Sequence, residues 1–137
     1  MKPDLAVGIT KTHRITVDRE RTIEFMGEDL RVYSTPMMVN DVEYACKDFL
    51  QEHLTDDKNS VGAHVEIDHL GPTLIGMWVD ITMRVTGVDG RKVSFEAEVR
   101  DALDVVGKMK HVRVVVDLAK QKERLQAKAL KLAQLAP

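Results

Sequence analysis

Thr35–His53 reads TPMMVNDVEYACKDFLQEH, and this run decides the fold. Thr35 followed by Pro36 reads as N-cap and first helical position, since the N–H that proline lacks would have no partner there. Val39, Val42, Cys46, Phe49 and His53 recur at three- and four-residue spacing, and Met38, Ala45 and Leu50 widen the stripe. So broad a stripe predicts a helix covered on more than one side. The turn-forming run Thr55-Asp56-Asp57-Lys58-Asn59-Ser60 ends it.

On the C-terminal side the period drops to two. Val61, Ala63, Val65, Ile67 and His69 fall on one face of a predicted strand, and Gly62, His64, Glu66 and Asp68 on the other. Gly71-Pro72 interrupts the chain. Ile75, Met77, Val79, Ile81, Met83 and Val85 then alternate, and Val88-Asp89-Gly90-Arg91 carries the Asp-Gly pair of a tight hairpin. Val93, Phe95, Ala97 and Val99 continue the alternation, and Asp104–Val116 supplies a last long strand, with Met109, His111, Arg113 and Val115 on one face. On the N-terminal side His13–Val17 is a short strand candidate, while residues 19–32 stay open between loop, short helix and lid.

Leu118–Leu135 reads as a second helix. Leu118, Leu125 and Leu132 lie seven apart, and Lys120, Lys122, Arg124, Lys128 and Lys131 outnumber Glu123. A docked helix with a solvated basic face is the plain reading; a contact to a partner or to a coenzyme phosphate is the other. One long apolar helix under an alternating antiparallel sheet is an α+β plan, the outline of a hotdog fold, within one domain spanning 1–137. The sheet would end in an edge strand that needs pairing or covering, so a homodimer is expected.

The bulk numbers narrow the function. A net charge of −2 provides no global field for nucleic acid or an anionic membrane, so neither is expected as a partner. A lone Cys46, an N-terminus without an apolar signal run, and no stretch near about 18 apolar residues predict a cytoplasmic protein. His64, Glu66 and Asp68 alternate on one strand face, but no second cluster supports a metal, and none is expected. Phosphate-loop and dinucleotide fingerprints are not found in the sequence.

Three polar residues sit uncomfortably in a purely structural reading. Thr35 opens the apolar helix, Glu43 lies inside it beside Val42 and Cys46, and His69 ends a strand on its apolar face. Each has a structural role open to it, as cap, surface carboxylate or backbone-bonded histidine. Together they suit acyl transfer. The carboxylate would act as nucleophile or general base, the histidine would move protons at neutral pH, and the hydroxyl would orient, polarise or attack.

The runs VYSTPMMVNDVEYACKDFL, GAHVEIDHLGPTLIG, GRKVSFEAEVRD and GKMKHVRVVV together resemble the fluoroacetyl-CoA thioesterase family of hotdog proteins, from about Val32 to Val116. The resemblance implies a catalytic set of Thr35, Glu43 and His69, with Gly62 helping to hold the thioester carbonyl and Arg113 as an active-site arginine. It implies homodimers with sites built at the subunit interface, a small acyl-CoA as substrate, and no cofactor apart from the coenzyme A carried by that substrate. Met26-Gly27-Glu28-Asp29-Leu30 lacks the phenylalanine-rich gate that the fluoroacetate enzyme carries before its threonine. The implied acyl group is therefore short but broader than, or different from, fluoroacetyl. A non-catalytic ligand-binding hotdog module and an enoyl-CoA hydratase or dehydratase are the competing readings.

Overall fold

The computed structural model describes residues 1–135; the expected domain of 1–137 includes two residues that lie outside the described ones. The chain order is β1 (Thr10–Thr16), two short 3-10 turns (Arg19–Arg21 and Glu28–Leu30), α1 (Thr35–Gln51), β2 (Lys58–His69), β3 (Trp78–Asp89), β4 (Lys92–Arg100), β5 (Val105–Asp117) and α2 (Leu118–Gln134). The strands form one antiparallel sheet in the order β1-β3-β4-β5-β2. Helix α1 covers its inner face, which is the hotdog arrangement.

The core follows the alternation read from the sequence. Val79, Ile81, Met83 and Val85 of β3, and Val93, Phe95, Ala97 and Val99 of β4, all point inward and are buried. They meet Met38, Val42, Ala45, Cys46, Phe49 and Leu50 of α1. Outward positions are charged instead. Arg84, Glu96, Lys110 and Glu66 stand in register across four strands with alternating sign, which keeps that face solvated.

Helix α1 also packs closely over β5. A Cβ on Gly107 would overlap the Met38 sulfur, so the missing side chain at this strand position lets the Met38 thioether pack against the backbone. The opposite neighbour of Gly107 in the ladder is His69. The crossing therefore carries the N-terminus of α1 to the end of β2.

Four local expectations change. Ser34, not Thr35, is the N-cap of α1: its hydroxyl accepts from the Met37 N–H, and Thr35-Pro36 open the first turn. Capping is thus done one residue earlier, and the Thr35 hydroxyl is left for another partner. The strand predicted from Ile75 starts at Trp78, because Gly76 turns the chain at φ 89° and leaves Ile75 exposed. Strand β2 holds a bulge between Gly62 and His64, so the single face assigned to Val61–His69 switches there. Helix α2 is not docked: none of its residues is buried in the single chain.

Residues 19–32 form neither a long helix nor a free loop. The Asp41 carboxylate, buried on α1, accepts from the Tyr33 hydroxyl at 2.5 Å and from Arg21 Nε and Nη2 at 2.9 and 3.2 Å. Arg21 also donates to Asp18. The segment leading into the helix is thus tied to the helix itself. Asp41→Ala leaves the Tyr33 hydroxyl and the Arg21 guanidinium without their shared acceptor, and denaturant unfolding is expected to show a loss of about 2–4 kcal/mol.

Candidate active site

The five residues singled out in the sequence fall into two groups. At the first, the Thr35 hydroxyl and His69 Nδ1 are 2.7 Å apart, joining the first turn of α1 to the last residue of β2. Tyr33 packs edge-on against the imidazole, with ring centroids 6.4 Å apart. Burial lowers the His69 pKa, while the Gly71 backbone opposes that shift. A neutral imidazole beside a hydroxyl is a proton acceptor in place.

The second group lies further along the helix. Glu43 and Thr35 are eight residues apart, about 12 Å along an α-helix. Gly62 and His69 are seven residues apart, about 20 Å along a strand. Around Glu43, a Cβ built on Gly62 would lie 3.0 Å from the carboxylate Oε2, 3.4 Å from His111 Cε1 and 3.7 Å from Arg113 Nη1. Arg113 Nη1 itself is 3.9 Å from Glu43 Oε2. The β2 bulge makes this convergence possible, because it leaves Gly62 facing the same side as Arg113, its ladder partner.

Arg113 is held rigidly. Its Nε donates to the Ser60 hydroxyl at 2.7 Å and its Nη2 to the Ser60 carbonyl at 2.9 Å. Burial pushes the guanidinium pKa down and Glu43 pulls it back up, yet arginine remains protonated throughout the working range. The third nitrogen, Nη1, lies 3.2 Å from His111 Nε2. His111 Nδ1 is 2.7 Å from the His64 carbonyl oxygen, which can only accept. The proton must therefore sit on Nδ1, and Nε2 offers its lone pair to the arginine. Burial holds the His111 pKa below its ordinary value and the guanidinium adds to that, while the hydrogen bond to the His64 carbonyl opposes it.

Sequence reading included Arg113 and Gly62 among its candidates, but it placed Gly62 on the wrong face. It did not find Ser60 or the role of His111; a buried arginine on an inward strand face, which must have acceptors, was the available signal. Nor did it find Phe25, which stands 76% exposed immediately before the stretch read as lacking rings. Cys46 is a buried thiol whose pKa burial pushes up to about 12, so it is no nucleophile. Among the described residues no group of three His, Cys, Asp or Glu side chains is placed to hold a metal ion. Among the described residues no helix is long and apolar enough to cross a membrane.

The fold and the sequence that builds it have known relatives. Residues 17–119 match the family profile described as fluoroacetyl-CoA-specific thioesterase. The chain belongs to the fluoroacetyl-CoA-specific thioesterase family. It is a hotdog thioester hydrolase. The fluoroacetyl-CoA thioesterase of Streptantibioticus cattleyicolor is 27% identical over 135 residues, covering 93% of this chain and 97% of that one. A crystal structure of a point mutant of the fluoroacetyl-CoA-specific thioesterase superposes with a TM-score of 0.84 at 27% identity, covering 93% of this chain and 99% of the other. A thioesterase superfamily member from Thermus thermophilus shares the fold, with a TM-score of 0.86 at 24% identity over 96% of this chain and 98% of its own. The point mutant has also been crystallised with fluoroacetate and CoA; that structure covers 85% of this chain and 98% of its own at TM-score 0.78 and 28% identity.

The locked imidazole gives a direct check. Nitrogen-15 NMR at neutral pH should show His111 as one neutral tautomer protonated on Nδ1. A mixture of tautomers, or a protonated ring, contradicts the hydrogen-bond chain described above.

Proposed function

We propose that this thioesterase hydrolyses short acyl-CoA thioesters at composite sites, each built from Glu43, Gly62 and Arg113 of one protomer and Thr35 and His69 of its partner. The observation that carries this reading is the Glu43 carboxylate set against Gly62, a position without a side chain, with Arg113 Nη1 3.9 Å away. With no side chain at Gly62, the Glu43 carboxylate lies close against the strand backbone, 3.0 Å from where a Cβ would stand. So close an approach favours a short acyl group over a long one; the shared family supports a CoA thioester.

Two geometric facts favour a homodimer. Helix rise separates Glu43 from Thr35 within a protomer by about 12 Å, too far for both to touch one carbonyl group. Strand β2 is also an edge strand of 12 residues, with Val61 and Val65 exposed along it. An edge this long invites pairing. Two-fold pairing of β2 with its own copy runs the strands in opposite directions. The partner's His69 then lies toward the Lys58–Gly62 end, beside Glu43.

In this site Glu43 either attacks the thioester carbon, giving a mixed anhydride that water then cleaves, or takes a proton from the water that attacks. Both routes break the C–S bond, yield the carboxylic acid and deliver a proton to the departing thiolate. The Gly62 backbone and the Arg113 guanidinium stabilise the negative charge that develops on the carbonyl oxygen. The partner's Thr35 positions the acyl group, and the partner's neutral His69 accepts and returns protons. Coenzyme A enters only as part of the substrate, no other cofactor is needed, and the reaction is placed in the cytoplasm.

A free-thiol assay tests this across acyl-CoA chain lengths, with acetyl-CoA and fluoroacetyl-CoA side by side. Wild type should favour short chains without a strong preference for the fluorinated one. Glu43→Gln should lose at least about a hundredfold in kcat, the range for removing a general base or nucleophile, while keeping its fold. Activity within a few-fold of wild type in Glu43→Gln would eliminate Glu43 from the chemistry.

A further inference from the structure

Away from the carboxylate, one cleft concentrates positive charge. It has a volume of about 250 Å³ and is lined by Lys58 at the start of β2, Arg91 in the β3–β4 turn, and Lys120 and Arg124 in the first turns of α2. Asp117 is its one carboxylate, and that group is already engaged. It caps the Lys120 N–H at 3.1 Å and binds Lys58 Nζ at 2.9 Å. Arg91, Lys120 and Arg124 enter no ion pair among the described residues. The chain as a whole carries a net charge of −2, so this is a local excess against the general trend.

The cost of that excess is visible in the helix. Lys120 and Arg124 are four residues apart and share a face, an arrangement that destabilises an isolated helix by a few tenths of a kcal/mol. Arg91 approaches the same space from another element, its backbone fixed by the Val115 N–H donating to its carbonyl at 2.8 Å. Three unpaired cations from two elements suit a polyanion far better than a single carboxylate. Arginine and lysine together are the side chains that bind phosphate oxygens.

Its location supplies the rest. Val115 lines the cleft and lies two residues beyond Arg113 on the same face of β5, about 7 Å along the strand. It also pairs with Ser60, the residue that anchors the Arg113 guanidinium. From Val115 the cleft runs outward to Arg124, seven residues past Asp117 and about 10 Å further along α2. An extended thiol arm that follows β5 from Arg113 past Val115 would reach this cleft.

We propose that this cleft binds the phosphate groups at the nucleotide end of coenzyme A, so that Arg91, Lys120 and Arg124 select CoA thioesters over shorter thioesters. The inference rests on the acyl-CoA reading above and gives the undocked, basic α2 a role in substrate binding. The cations act on binding and lie away from the bond that breaks.

The test compares wild type with a Lys120→Glu/Arg124→Glu double variant, both surface changes between good helix formers. Hydrolysis is measured with one acyl group carried either on CoA or on N-acetylcysteamine, which has the thiol arm's end but no nucleotide. The variant should raise KM for the CoA thioester at least about tenfold, about 1.4 kcal/mol of binding, with kcat and the N-acetylcysteamine KM unchanged. Calorimetric binding of CoA and of adenosine 3′,5′-bisphosphate should weaken by a similar factor, and high salt should abolish the difference. CoA binding equally tight in both proteins overturns the proposal, as does an equal rise in KM for both substrates. If neither thioester is hydrolysed, the thioesterase site assignment fails, and the calorimetric comparison still decides the cleft.

Discussion

Helix α1 meets the sheet at two positions where the strands carry no side chain. At Gly107 the gap admits the Met38 sulfur, and at Gly62 it lets the Glu43 carboxylate lie close against the strand backbone. Protein interiors are packed too densely for a helix to shift by the width of a methyl group without repacking its neighbours. The packed core of α1 against the sheet holds the helix in place, and these two close approaches bring its side chains against strand backbone. The first sets the helix N-terminus at the end of β2, where Thr35 and His69 meet at 2.7 Å. The second opposes Glu43 to a strand backbone, with Arg113 and His111 behind it.

Polar groups around the carboxylate are arranged in a chain with little freedom. The His64 carbonyl fixes the His111 tautomer, His111 and Ser60 fix Arg113, and Arg113 faces Glu43. Each member has a partner of the right kind, which is what a buried charge requires. Such pre-arranged dipoles cost nothing to reorient when charge develops on a substrate.

Much of the fold was legible because burial imposes a period. The inward rows of β3, β4 and β5 and the stripe of α1 follow from alternation and 3.6-residue spacing alone. The Gly62 region was misread because a bulge inserts one residue into β2, and a count of alternating residues cannot see it. Ser34 was passed over as the cap because Thr35-Pro36 fits the same statistical preference. The grouping of Thr35 with Glu43 was a different matter: eight residues on a helix already mean about 12 Å, so their separation within one chain was readable from the start. The sequence put His111 on the same strand face as Arg113 but gave no sign of the partners that fix its tautomer. Its importance comes from neighbours on β2 that only the folded ladder brings near.

In the proposed composite site, two-fold pairing accounts for both the long free edge of β2 and the separation of Thr35 and His69 from Glu43. Subunit mixing tests this most directly. A Glu43→Gln protein and a Thr35→Ala/His69→Ala protein, each inactive alone, are mixed in equal amounts and allowed to exchange protomers. Half of the resulting dimers are then mixed, and each mixed dimer holds one intact composite site out of two, so activity should return to about a quarter of the wild-type value. No recovery on mixing, with exchange verified, would place all three residues of each site within a single chain and contradict the composite site.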